Sequence, residues 1–147
     1  MPIKLVSRAA FCVLALASMG WFGGFQPEHA VASCAVSLPL GQALRAAPMI
    51  FIGKVITTTN QGRRASVRVL DIWRGGHILR RVTVGGSPSY GPEATSVDRT
   101  YRRGAIYLFI PSLTRTTPPY DDNACSATRP YTARVAQYRP PGAHRPV

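Results

Sequence analysis

Met49-Ile50-Phe51-Ile52-Gly53-Lys54-Val55-Ile56-Thr57-Thr58-Thr59 runs into Asn60-Gln61-Gly62, and then into Arg63-Arg64-Ala65-Ser66-Val67-Arg68-Val69-Leu70-Asp71-Ile72-Trp73-Arg74. The first segment is rich in Ile, Val, Phe and Thr, which suits a pleated strand. Asn-Gln-Gly supplies a turn. In the second segment Ala65, Val67, Val69 and Trp73 are expected on one face, with Ser66 and Arg68 on the other. Leu70-Asp71-Ile72 breaks that alternation and predicts a bulge or bend.

Outward from this pair the chain keeps the same grain. Downstream, Gly75-Gly76 ends the second strand. Ile78 to Val84 reads as a third strand, closed by Gly85-Gly86-Ser87-Pro88. Ser89 to Gly104 is loop-like, with one short strand around Ala94 to Val97. Ala105 to Ile110 is a continuous apolar run, the mark of a strand buried on both faces. Ser112 to Ala124 is polar and turn-rich, and Tyr131 to Gln137 suits a short strand or a terminal helix turn. From Arg139 three prolines in nine residues argue against packed structure, so 139–147 is expected to be a disordered tail. Upstream, Leu40, Ala43, Leu44 and Ala47 have helical spacing, ending before Pro48. The expectation is an all-β domain of about five uneven strands with one short N-terminal helix, closed as a small barrel.

The N-terminus has the layout of an export signal. Lys4 and Arg8 precede an apolar run from Ala9 to about Gly24, followed by polar Gln26-Pro27-Glu28-His29 and small Ala30-Val31-Ala32. The run is shorter than the roughly 20 apolar residues of a spanning helix. Residues 1–32 are therefore read as a cleaved signal and 33–138 as one domain. No later run approaches membrane length. The expected location is secreted or cell envelope.

Formal charge over the chain is +12, and Lys54 is the only lysine after Lys4, so arginine carries nearly all of it. Such a balance favours anionic partners such as acidic wall or lipid polymers, acidic proteins or nucleic acid. Solvated charges from a bias towards arginine account for it equally simply. Cys12 belongs to the signal, leaving Cys34 and Cys125. An even count in an oxidising compartment suggests one disulfide. It would close a loop of roughly 90 residues, worth about 4–5 kcal/mol in chain-entropy terms. Two other fates remain open for Cys34. Val31-Ala32-Ser33-Cys34 has the look of a lipobox, although Gln26 to His29 separate it from the apolar run. A cut after Ser33 rather than Ala32 would make Cys34 the mature N-terminus.

Four pieces together resemble the netrin-like, or tissue-inhibitor-of-metalloproteinases-like, group of OB-fold domains. They are Cys34 after the signal; Ala43 to Val55, a helix running into a strand; Val67-Arg68-Val69-Leu70-Asp71-Ile72-Trp73-Arg74-Gly75; and Gly104-Ala105-Ile106-Tyr107-Leu108-Phe109 followed by Cys125-Ser126-Ala127-Thr128. The resemblance spans roughly Cys34 to Arg134. It implies a five-stranded OB-like barrel and a Cys34–Cys125 bond tying the N-terminus to the end of the barrel. It departs from the group's usual Cys-x-Cys opening, because Val36 stands at the third position, and from its mid-chain cysteine, where Ser96-Val97 stand. In the animal inhibitors the amino group and carbonyl of the N-terminal cysteine chelate a protease's zinc. By analogy the edge Cys34, Ala35, Val36 and Ser37 is the candidate inhibitory surface, and an extracellular metalloproteinase or another envelope protein the candidate partner. Starting the chain at Ser33 spoils that geometry.

Other chemistry finds little footing. His77 and His144 have no zinc-ligand spacing, and no metal or cofactor is expected. Asp71, Glu93, Asp98, Asp121 and Asp122 are the acids after residue 32, and Asp121-Asp122 sits in a turn-forming context. Ser87 and Ser89 lack a Gly-x-Ser-x-Gly frame. An enzyme is not expected. Arg63, Arg64, Arg68, Arg80 and Arg81 are a candidate anion-binding set, with Tyr90 and Tyr101 near it. The alternatives to an inhibitor-like module are thus a cell-envelope lipoprotein, or a basic OB domain for anionic polymers or single-stranded nucleic acid. The export signal disfavours nucleic acid.

Overall fold

The computed structural model describes Cys34 and residues 38–85, 97–112 and 117–146. The expected signal, residues 1–32, lies outside the described residues. The elements are α1 (Leu40–Ala46), β1 (Ile50–Thr59), a 3-10 turn (Asn60–Gly62), β2 (Arg64–Arg74), β3 (Arg81–Gly85), β4 (Ile106–Phe109), β5 (Tyr120–Asp121), β6 (Arg129–Pro130) and α2 (Ala133–Ala136). Six strands form one sheet in the order β5-β3-β2-β1-β4-β6. It curls into a half-barrel. Neighbours are antiparallel except β3 and β5, which run parallel.

The β1–β2 hairpin organises the rest. Its turn needs positive φ at three successive residues, Asn60, Gln61 and Gly62; asparagine and glycine tolerate this well. Alternation along β1 then sends Phe51 and Val55 to the inside of the curl and Ile50 and Ile52 to the outside. Inside, Phe51 stacks on Phe109 with ring centroids 5.0 Å apart, among Val67, Val69, Val82, Val84, Tyr107 and Tyr120. Outside, Ile50, Ile52, Leu108 and Ile110 meet Ala43 and Ala47 of the α1 segment and Val135 of α2. The first half of β1 is thus buried on both faces, while Thr57 and Thr59 near the turn are exposed.

The expected bulge is present. The β1–β2 register slips at three places, skipping Trp73, Leu70 and Ile56. Each extra residue flips the alternation beyond it. This corrects one expectation: Ala65, Val67 and Val69 share the inner face with Ile72, whereas Trp73 is delivered to the outer cluster. There its ring meets Tyr131 edge-on at 6.3 Å, and its Nε1 donates to Asp71 Oδ2 at 2.9 Å. Next to it, Arg74 Nη1 donates to the carbonyls of Leu44, Arg45 and Ala47 at 2.8, 2.9 and 3.0 Å. These are the acceptors a helix C-terminus leaves unmatched. The Trp73-Arg74 pair therefore fastens α1 to the end of β2.

Two further expectations change. There are six strands, not five: two-residue β5 lies in the segment read as turn-rich, and two-residue β6 in a stretch given no element. Two residues next to prolines show no period, so pattern alone could not reveal them. The tail also differs: residues 139–146 pack along β2. His144 bridges Ile72 through 2.7 and 3.0 Å backbone hydrogen bonds, and Arg139 clamps Asp71 with Nε and Nη2 at 2.7 and 3.0 Å. β3 pairs only with Arg64 to Arg68 of β2, so the tail covers an edge that would otherwise be open. The short strand expected around Ala94 falls on residues outside the described ones, apart from Val97.

Gly53 sits where β2, β1 and β4 meet, paired with Val69 on one side and Tyr107 on the other. A Cβ there would overlap Val67 Cγ1 and lie 3.2 Å from Phe109 Cε2. Gly53→Ala is expected to lower stability by about 1–3 kcal/mol through overpacking, read as a lower denaturant midpoint at unchanged slope.

Candidate functional site

Cys34 and Cys125 are disulfide-bonded, with Cα atoms 5.1 Å apart across 91 residues of sequence. The bond brings the start of the domain to the loop between β5 and β6. That loop is held from beneath by buried polar groups. Asn123 Oδ1 accepts from the backbone N–H of Cys125 and Ser126 at 2.9 and 3.2 Å, an Asx-type turn around the cysteine. Thr128, itself buried, accepts from Ile110 N–H at 2.8 Å, tying the loop to the end of β4. Arg99 donates to the carbonyls of Asn123 and Ser126, each at 3.1 Å.

Asp122 is the hub. Its carboxylate accepts from Tyr101 Oη at 2.7 Å and from Ser126 Oγ, and Arg99 Nε stands 3.6 Å away. The residue is 1 % exposed. Burial pushes its carboxyl above the ordinary 3.8, against the pull of Arg99, Ser126, Tyr101 and Thr128. Burial, and then the neighbouring Asp122 charge, pushes the Tyr101 phenol upwards as well. The sequence reading put Asp121-Asp122 in a turn, whereas Asp121 belongs to β5 and Asp122 follows it directly. It missed that Asp122 faces inwards, which only the parallel pairing of β5 with β3 sets.

Beside the disulfide, Leu38, Ala43, Ala47, Ile110, Pro111 and Ala127 line most of an apolar hollow of about 240 Å³. Its wall includes Cys125 itself. Of the candidate edge, Cys34 is half-buried, and Ala35, Val36 and Ser37 lie outside the described residues. Among the described residues no group of three or more His, Cys, Asp or Glu is placed to hold a metal ion. No described helix is long and apolar enough to cross a membrane.

The candidate anion-binding arginines do not form one set. Arg63 is buried, pairing with Asp98 at 3.1 Å and with Asn60 Oδ1 at 2.7 Å. It closes the hairpin turn onto the segment before Tyr101. Arg80 lies in the bend ahead of β3. Arg64, Arg68 and Arg81 are exposed on strands. Tyr101, expected near an arginine face, is buried in the inner core and packs edge-on to Tyr107 at 5.9 Å; Tyr90 lies outside the described residues. Lys54, Arg102 and Arg103, not singled out in sequence, lie close to the exposed arginines. Lys54 pairs with Arg68 across the hairpin, and Gly104 N–H donates to Val55 O at 2.8 Å, holding the Arg102–Arg103 turn against β1.

No protein-family model matches the chain, and no curated protein matches it.

Two outcomes are expected. Arg63→Ala removes the ion-pair partner of Asp98, whose side chain is 5 % exposed, and should cost about 3–5 kcal/mol in denaturation, with Arg63→Lys recovering part. Asp122→Asn should change the pH dependence of stability. The folded state holds the Asp122 proton more tightly than the unfolded chain. Its contribution is therefore complete below the ordinary 3.8 and is lost as pH rises through the raised folded value. The stability difference, wild type minus variant, should fall on going from about pH 4 to neutrality, read by thermal melts across that range.

Proposed function

We propose that the protein is an exported, non-enzymatic binding module that presents the edge beginning at Cys34 to a protein partner. The observation that carries this reading is the Cys34–Cys125 bond, anchored on a loop that buried hydrogen bonds hold in one shape. A rigid mount lowers the ordering cost of whatever contact that edge makes. A crosslink of this kind also fits an oxidising, extracytoplasmic setting. The half-barrel, edged by short β5 and β6, is read as an OB-like barrel of the netrin-like kind. In that reading Cys34, Ala35, Val36 and Ser37 meet the partner, an extracellular metalloproteinase or another envelope protein. The apolar hollow beside Cys125 is the natural pocket for a partner side chain. A lipid on Cys34 would need the sulfur that the disulfide uses, which ranks the lipoprotein alternative below this one.

Intact mass and N-terminal sequencing of the exported protein test the frame. The expected product begins at Ser33 or Cys34, carries no lipid, and gains two hydrogens on reduction. A lipidated Cys34 would overturn it. A panel of extracellular metalloproteinases titrated with the oxidised protein tests the inhibitory version. Slowing that disappears in Cys125→Ala supports it, and no slowing at micromolar protein sinks it. A chain starting at Ser33 rules out zinc chelation by a terminal cysteine amine.

A further inference from the structure

The outer face of the sheet has two unlike halves. Near the end of the hairpin remote from the turn, α1, α2 and Trp73 cover Ile50, Ile52 and Leu108. Towards the turn, the same face carries charge. Lys54 on β1 stands directly opposite Arg68 on β2, and Arg68 directly opposite Arg81 on β3. The inward residues at this level are Val55, Val67 and Val82, so strand alternation points all three cations outwards. Arg68 and Arg81 are exposed and Lys54 half-buried. The next level along the same face is polar, Ser66 opposite Thr83, and Arg64 follows on β2.

Like charges directly opposite across strands are unfavourable, and here two such pairings follow one another. Lys54, Arg68 and Arg81 take no part in the ion pairs resolved among the described residues. Those pairs join Asp71 to Arg139, Asp98 to Arg63 and Asp122 to Arg99. A fold that retains this row places three cations at strand spacing, roughly 10 Å end to end across two gaps of about 4.8 Å. Arginine forks grip phosphate oxygens in pairs, while lysine acts as a compact charge.

We infer that Lys54, Arg68 and Arg81 form a binding strip for a linear phosphate polymer, laid across β1, β2 and β3 on the uncovered half of the outer face. Charge complementarity selects a polyanion. The surroundings select its kind. Nucleic-acid grooves add stacking rings, yet Tyr101 and Tyr107 point into the core, and the register neighbours of the row, Ser66, Thr83 and Ile106, carry no ring. The strip is separate from the Cys34 edge and does not depend on the function proposed for it. It revises the arginine set read from the sequence: Arg63 is a structural ion-pair member, and Lys54 joins.

The test uses the oxidised protein and linear inorganic polyphosphate as the probe, at several salt concentrations. Polyphosphate should bind and raise the melting temperature. Arg68→Gln/Arg81→Gln should weaken binding at least tenfold and lower the slope of log affinity against log salt by about one per cation removed. Without ligand that variant should melt no lower than wild type, because the repulsion has gone. Lys54→Gln should give a smaller loss in the same direction, and Arg45→Gln, on α1, none. Equal affinity in wild type and the double variant would overturn the proposal. So would tighter binding of oligo-dT than of polyphosphate matched for phosphates, or binding confined to anionic vesicles.

Discussion

The structure depends on β1 being buried on both sides. A strand of mixed polarity at a sheet's centre is ordinary, but Ile50 to Gly53 has no solvent face. Phe51 and Val55 need the inner core, while Ile50 and Ile52 need a second cover. The curled sheet provides the first. The second is assembled from pieces that are distant in sequence: α1 before the strand, and α2 near the end of the chain. Each is too short to persist alone in water. They are held by specific ties, Arg74 on the last carbonyls of α1 and the Trp73–Tyr131 contact beside α2. Both ties leave from the end of β2, so the bulges that turn Trp73 outwards serve the whole outer layer.

This explains which parts of the architecture could be read from residues. The hairpin, the turn at Asn60 to Gly62 and the buried β4 run are periodic or punctuated, and the structure places them within a residue or two of expectation. The bulge was visible as broken alternation at Leu70-Asp71-Ile72. Its consequence for Trp73 was not, because counting skipped residues requires knowing the partner strand. β5, β6 and the packed tail have no pattern of their own. They exist because an edge was left to cover, as His144 does for Ile72. Composition at residues 139–147 reports prolines, and prolines are compatible with an edge cover as readily as with a loose end.

The sites divide along the same line. Two cysteines could be counted, and their bond is present. The loop that makes Cys125 a firm anchor rests on Asp122, Tyr101, Arg99 and Thr128, which approach one another only through the fold. Arginine content likewise suggested anions without saying which arginines. Arg63 and Arg64 are adjacent in sequence but differ in burial, because strand alternation and the turn bury one beside Asp98 and leave the other exposed. Lys54 was overlooked as a single lysine inside an apolar strand. It becomes conspicuous only when the register sets it against Arg68.

The two ends of the molecule consequently differ in how their charges are managed. Beneath the Cys125 loop the charge is enclosed and matched, Asp122 with Arg99. Desolvation raises the cost of any mismatch there, so the network fixes one geometry. On the bare half of the outer face, cations repel one another and water screens them, so mismatch is tolerated. A region of the first kind suits a contact that depends on shape, because its groups cannot rearrange to meet a poor fit. A region of the second kind suits a ligand recognised by charge density, since an arriving polyanion relieves repulsion already present. One curled sheet can hold both because β1 separates them: its buried half organises the covered end, and at Lys54 the same face opens to solvent.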